Sequence, residues 1–376
     1  MRTVTTRPST RLTLYVAFEL GNTDWHLAMT PDIERLPRRR TIPARGLAQL
    51  HQELAAAKQH FGLPAAAGVA SCYEAGRDGF WLHRYLTAHG VRNLVVDSSS
   101  IEVNRRQHRA KTDRLDAEKL VTMLIRAAGG ERRVWAVVRP PADRDEDRRQ
   151  VHRELLCTRR DRARHTNRIK GLLASQGIVL DTLRALPTRL RTARRWDGSP
   201  LPPLLTARLA REWDVRCHAD ARLQLLRRER RQLLDAPDDP AIAQVRQLHA
   251  LRGIGLDGAW LYVMEFFAWR EFQNRRQVGG LAGLGDTHYQ SGDLAHQQGI
   301  SKSGNRWIRS LAINTAWGWL RYQPQSDLAQ WYQQKFGHGT SRQRKIGIVA
   351  LARKLLIAFW RYLEHGTLPA GALLRT

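Results

Sequence analysis

A change of pattern near residue 139 limits what this chain can fold into. Before it, short apolar runs of β-type composition alternate with helically spaced segments; after it, the strand-like runs stop. Leu12–Phe18, Trp25–Met29, Gly68–Cys72, Asn93–Asp97 and Val134–Val138 predict strands, and Leu47–His60, Gly79–His89 and Asp113–Arg126 predict helices, the second of these closed by Gly90. Such alternation is the signature of an α/β domain. The stretch R-P-P-A-D-R-D-E-D-R-R over residues 139–149 reads as its boundary. Helices alone are expected beyond it: one basic stretch over residues 151–200, a second over Leu204–Leu234 after the break S-P-L-P-P, and more from Ile242 onward. The first two suit an antiparallel pair or coiled coil, although no strict heptad persists. The predicted class is therefore α/β plus all-α, with domains at 1–140, 141–240 and 241–376.

Charge narrows the function. The 376 residues carry 62 Lys and Arg against 35 Asp and Glu, a net +27, which calls for an anionic partner, nucleic acid first. With 42% hydrophobic residues the chain is a folded protein rather than a basic tail. Residues 151–200 hold 12 Lys and Arg against 4 acids, and residues 301–376 hold 12 against 2. Cys72, Cys157 and Cys217 form no C-x-x-C pair, which argues against a zinc ribbon and fits a reducing compartment. No run approaches the ~18 apolar residues of a membrane span, so a cytoplasmic protein with no membrane partner is expected.

Acids fall at telling places. Glu19 ends the first predicted strand, Glu74 follows the third, and Asp113 and Asp116 open a helix in K-T-D-R-L-D-A, where their i, i+3 spacing puts them on one face. Carboxylates converging at a sheet edge would repel one another unless divalent cations sat between them, the arrangement of a two-metal nuclease or strand-transfer site. Taken by spacing alone, Asp113 and Asp116 also suit an N-cap and a first-turn acid, and the glutamates ordinary surface positions.

The segments Y-V-A-F-E-L (15–20), C-Y-E-A (72–75) and K-T-D-R-L-D-A (111–117) resemble the three acidic motifs of the DEDD transposases of bacterial insertion sequences, the IS110 family. The resemblance continues through G-G-L-A-G-L (279–284), H-Y-Q-S-G (288–292) and G-I-S-K-S-G-N (299–305). It implies an N-terminal RuvC-type, ribonuclease-H-like domain and a mainly helical C-terminal transposase domain with a catalytic serine. It also implies a recombinase guided by a structured bridge RNA, acting on element ends and target DNA as a homodimer or homotetramer in the bacterial nucleoid. Carried over, the tetrad is Glu19, Glu74, Asp113 and Asp116, binding Mg²⁺ or Mn²⁺, and the nucleophile is Ser291. Where the family usually has Asp, this chain has Glu19, one methylene longer; a displacement on the order of 1 Å can cost ~10²-fold in rate. Asp24 is the alternative ligand.

Serine is a weak nucleophile until a base, metal or cation activates it, and His288, His296, Lys302 and Arg306 lie close in sequence. By itself Ser291 also reads as a polar turn residue, with Ser301 and Ser303 as rivals that equally suit the cap of a helix starting near Asn305. Gly253-Ile254-Gly255 resembles a turn that grips backbone phosphate, or a plain interhelical turn. Arg159, Arg160, Arg164, Arg168 and Lys170, then Lys302, Arg306, Arg342, Arg344 and Lys345, are the candidate nucleic-acid contacts. Trp307, Trp317, Trp319, Trp331 and Trp360 stack on unpaired bases or, at helical spacing, fill a core. Two other functions fit these residues: a metal-dependent junction resolvase or nuclease with water as nucleophile, and a non-catalytic nucleic-acid-binding derivative.

Overall fold

The run T-L-Y-V-A-F-E-L forms β1 (Thr13–Leu20), in which five of the eight residues are buried and none is exposed because a neighbour lies on each edge and helices cover both faces. The structure, a computed structural model, describes residues 12–76, 79–101, 113–131, 134–236, 238–291 and 294–375. They divide into two compact units, 1–141 and 142–376.

In the first unit β2 (Asp24–Thr30), β3 (Arg38–Pro43), β4 (Gly68–Glu74), β5 (Arg92–Val96) and β6 (Val137–Val138) join β1 in one sheet of order β3-β2-β1-β4-β5-β6. β4 and β5 run parallel to β1; β2, β3 and β6 pair antiparallel to their neighbours. Alternation along the strands sorts side chains to two faces. Leu14, Val16, Phe18, Trp25, Leu27, Met29 and Tyr73 share one core with residues of α1 (Leu47–His60) and α2 (Trp81–Ala88). Ala17, Ala28, Cys72 and Val96 face the other way, against α3 (Asp113–Ala128) through Ala117, Leu120, Val121 and Leu124. Three small residues, Ala17, Ala28 and Ala117, let that helix approach the sheet closely. β3 escapes the sequence pattern because R-R-R-T-I-P is an edge strand that buries only Ile42, with Arg38 bonded to Glu53 at 2.7 Å and Arg39 to Glu118 of α3.

The second unit opens with two 32-residue helices, α4 (Asp143–Ala174) and α6 (Pro203–Leu234), around the short α5 (Leu186–Thr192). The pairs Arg168–Glu212, Arg162–Asp220 and Arg222–Glu154 run in opposite senses along the two long helices, which are therefore antiparallel. Next come α7 (Pro240–Ala250), α8 (Leu256–Tyr262), α9 (Arg275–Leu281), the strands β7 (Asp286–Ser291) and β8 (Leu294–Ile300), α10 (Arg306–Tyr322), α11 (Asp327–Tyr332) and α12 (Ser341–His365). Trp260, Tyr262, Phe266, Trp319 and Phe359 centre this core, each burial stabilising by about 1.5–3 kcal/mol. Trp319 is thus a core residue, while Trp317 is 49% exposed. The antiparallel β7–β8 pair corrects the expectation of helices alone after residue 139. Its sequence, D-T-H-Y-Q-S then L-A-H-Q-Q-G-I, is too polar to stand out as strand. Among the described residues no helix is long and apolar enough to cross a membrane.

Candidate functional site

Sheet topology places Glu19 and Glu74 at the same end of neighbouring strands. The parallel register of β1 with β4 ends at Phe18↔Tyr73, and its next step sets Glu19 beside Glu74. Both follow by two residues a position that faces α3, Ala17 and Cys72, so alternation puts both on the α3 side. Ala117 packs in that same cluster, and the Cys72 thiol donates to the Leu120 carbonyl at 3.7 Å, so the first turn of α3, with Asp113 and Asp116, starts toward this end. Glu19 and Asp116 are half-buried and Glu74 is exposed. The side chain of Asp113 lies outside the described residues. Among the described residues no three His, Cys, Asp or Glu side chains stand close enough to hold a metal ion. Asp24 begins β2, exposed, and accepts from Thr23 Oγ1 at 2.9 Å.

In the second unit Ser291 is the last residue of β7, paired with Leu294 of β8. It is a strand terminus rather than a loop position, with residues 292–293 between the strands. The side chains of 287–298, His288 and His296 included, lie outside the described residues. The two runs separated by Gly-Asp carry the hairpin signal that composition hid.

The blocks around the hairpin lock into each other. Gly283 has φ +68°, and a Cβ there would stand 2.0 Å from the Ser303 carbonyl oxygen; Gly304 has φ +76°, and its Cβ would stand 2.2 Å from that of Leu281. Only glycine fits either position. Arg309 donates to Ser303 O at 3.1 Å, and Ser301 N–H to Gly285 O at 2.9 Å. Neither Ser301 nor Ser303 caps α10. Asn305 does, accepting from Trp307 and Ile308 N–H at 3.0 and 3.3 Å, while the two serine hydroxyls bond each other at 3.0 Å.

The hairpin base forms one wall of a groove of about 1380 Å³. Arg275 and Arg276 of α9, Lys302 of the loop, and Arg342, Lys345, Arg353 and Lys354 of α12 line it, with Asp286 the one acid among the described lining residues. Arg353 Nη1 donates to Asp286 Oδ2 at 3.2 Å and so ties α12 to the start of β7. Lys302, Arg342 and Lys345 fall here as sequence candidates. Arg306 is exposed at the first position of α10, and Arg344 is exposed on α12; neither lines the groove. Sequence reading missed Arg275, Arg276, Arg353 and Lys354. The available signal was the stripe Arg342, Lys345, Val349, Arg353 at helical spacing.

The other candidates have protein partners. Arg159 bonds Asp257 at 2.6 Å, Arg164 bonds Asp161 at 3.1 Å, Arg168 bonds Glu212 at 2.9 Å, Lys170 donates to the Asp181 carbonyl at 2.8 Å, and the Arg160 guanidinium lies 5.9 Å from the Trp307 ring centre. Burial pushes the Asp257 and Glu212 carboxyls up, but Arg159 and Arg230 on the first, and Arg168 and His165 on the second, outweigh it and hold both below the usual range. A second cavity, of about 870 Å³, lies along this helix pair, lined by Arg162, Lys170, Arg184, Arg216 and Arg227 among others. The Gly253-Ile254-Gly255 turn links α7 to α8, with Gly253 at φ +93° against Tyr322. Its neighbourhood is tied down by the chain end: Arg252 N–H donates to Leu373 O at 3.0 Å, and the Arg375 guanidinium donates to Ile254 O.

A strand-and-helix unit with an acidic edge, followed by a helical unit with a strongly cationic groove, marks a protein that works on nucleic acid strands. Residues 245–331 match the model of the transposase family IS116/IS110/IS902. The Sinorhizobium fredii protein named "Putative transposase y4rJ" is 38% identical over 379 residues, 96% of this chain and 95% of its own length. The "Transposase for insertion sequence element IS1328" of Yersinia enterocolitica is 27% identical over 259 residues, 68% of this chain and 73% of its own. The chain belongs to the IS110/IS116/IS902 family and is a transposase.

Proposed function

We propose that this transposase cuts and rejoins DNA strands of an insertion element and its target through a covalent intermediate on Ser291, guided by a structured bridge RNA. The observation that carries this reading is the rise of the Ser291 hairpin from the wall of the cationic groove, where phosphates would collect. Ser291 Oγ attacks phosphorus, the P–O bond to one strand segment breaks, and the hydroxyl proton passes to the departing oxygen. The serine phosphodiester conserves the bond energy until a free hydroxyl of the exchanging strand attacks it and restores Ser291. Because one serine serves one strand at a time, the working unit is a homodimer or homotetramer.

The strand order β3-β2-β1-β4-β5, with three antiparallel strands leading into parallel ones and α3 over the acidic edge, supports a RuvC-type, ribonuclease-H-like domain over 1–140. Residues 141–240 form its helical linker and 241–376 the transposase domain. Glu19, Glu74, Asp113 and Asp116 would hold Mg²⁺ or Mn²⁺: their all-oxygen donor set suits a hard cation, and the edge on which they lie can be reached from solvent at Glu74. Such an ion would screen phosphate charge and acidify an oxygen nucleophile.

Mass spectrometry after reaction with labelled DNA should find the adduct in the peptide containing Gln290-Ser291-Gly292. An adduct on Ser301 or Ser303 would move the nucleophile to the I-S-K-S-G-N segment. The acidic edge also favours a second reading, a resolvase that activates water. Denatured protein that retains no label while DNA is still cut, with cleavage lost in Asp116→Asn, selects that reading.

A further inference from the structure

The groove beside the hairpin is more than a row of cations. Between the charges of α12 and the loop lies an apolar floor of Leu284, Ile300, Val349 and Ile357, and Ile346 is 55% exposed within it. The half-buried indole of Trp331 also lines the groove, held edge-on by Phe336 at 5.7 Å between ring centres. A duplex offers such a surface only phosphates and would leave the floor wet. An unpaired strand offers phosphates at its backbone and apolar π-faces at its bases, and so matches both parts.

We infer that this groove takes an unpaired segment of the DNA strand undergoing exchange, with a base against Trp331 and the flanking phosphates on Arg342, Lys345 and Lys302. Lys354 Nζ now sits 4.6 Å from the Trp331 ring centre, covering the indole with a flexible cation. On binding, the lysine leaves the ring for a phosphate and a base takes its place, so Trp331 and Lys354 each keep a partner in both states. Asp286 holds Arg353 at the hairpin base, away from this exchange, and keeps the strand carrying Ser291 in place. DNA rather than RNA is the occupant because the groove shares its wall with that hairpin; the inference therefore rests on the proposed role of Ser291.

The test uses the full chain and short mixed-sequence oligonucleotides carrying one 2-aminopurine, as single strands and as duplexes. Stacking on the indole should quench the single-stranded probe. Trp331→Leu should remove the quench and weaken single-strand binding by roughly 5- to 150-fold, the range for loss of one stacked base, with duplex affinity unchanged. Equal quench and affinity in a Trp331→Leu protein with wild-type melting would overturn the inference, as would an equal loss for duplex. Should that variant fail to fold, the wild-type protein decides: a 5-iodouracil single strand should photocrosslink to the peptide containing Trp331 or to the one containing Ile346, and crosslinking elsewhere, or only by an RNA strand of the same sequence, refutes it. Ser291→Ala should crosslink like wild type. If it also recombines like wild type, the role of Ser291 fails while the strand site stands.

Discussion

Residues 151–200 and 301–376 carry similar surpluses of positive charge, yet the fold spends them differently. On the long helix pair, arginines meet acids: Arg159 with Asp257, Arg162 with Asp220, Arg168 with Glu212, and Arg153 on the buried Glu265 through two bonds of 2.8 and 3.0 Å. The cavity along that pair is lined by six cations and one acid and the C-terminal groove by seven and one, but Arg159, Arg162 and Arg216 of the first are ion-paired, whereas among the described lining residues of the second only Arg353 is. Surplus charge alone therefore does not distinguish the two regions; the share of it that is paired within the fold does.

The comparison fails most visibly if chemistry does not belong to the groove side. Ser291→Ala should lower recombination at least ~10³-fold in a strand-exchange assay while melting stays unchanged, because a nucleophile has no substitute. Replacing Arg159, Arg160, Arg164 and Arg168 together with Gln should leave recombination measurable in the same assay. The reverse result would put the chemistry on the helix pair.

Acid should next expose the buried ion network of the helix pair. His152 of α4 is buried, and its two ring nitrogens have no hydrogen-bond partner among the described residues; burial drives its pKa down to about 4 from 6.5. The unfolded chain thus takes up a proton near pH 6.5 that the folded chain refuses until about pH 4. Stability is complete above the first value and falls by up to about 3 kcal/mol toward the second. Melting curves across this window should show the loss, and His152→Leu should flatten it. Glu265 and Asp257 raise the His152 pKa against burial, and Arg230 and Arg159 lower it further, so the slope reports the whole cluster.

Glu212→Ala sharpens the contrast with less effect. It strips Arg168 and His165 of their shared carboxylate, bonded at 2.9 and 2.6 Å, and should destabilise by about 1–3 kcal/mol in denaturant titrations without weakening DNA binding. The smallest effect is on salt dependence. Arg342→Gln with Lys345→Gln should reduce the log K against log salt slope by about 0.9 per lost phosphate contact on duplex, or about 0.7 on a single strand. The four arginine substitutions on the helix pair should leave that slope nearly unchanged.

Strands β1, β2 and β4 are legible in the sequence because central strands bury both faces and read as unbroken apolar runs. β3 and the β7–β8 hairpin are not, since an edge strand such as R-R-R-T-I-P and a polar ribbon such as D-T-H-Y-Q-S bury too little to leave a period. The glycine-rich blocks at 279–284 and 299–305 are visible as motifs, but their reason is the mutual approach of Gly283 to Ser303 and of Gly304 to Leu281.

Sequence by itself determined the strand-and-helix alternation of the first unit, the long basic helices of the second, the acids at strand ends and the family, all of which rest on local periodicity or on contiguous motifs. Tertiary structure decided which charges remain available. Arg159 and Asp257 lie 98 residues apart, Arg168 and Glu212 lie 44 apart, and Arg353 reaches Asp286 across 67. A Coulomb partner is set by distance in space, and no local pattern carries it. The groove likewise exists only where α9, the hairpin base and one face of α12 converge.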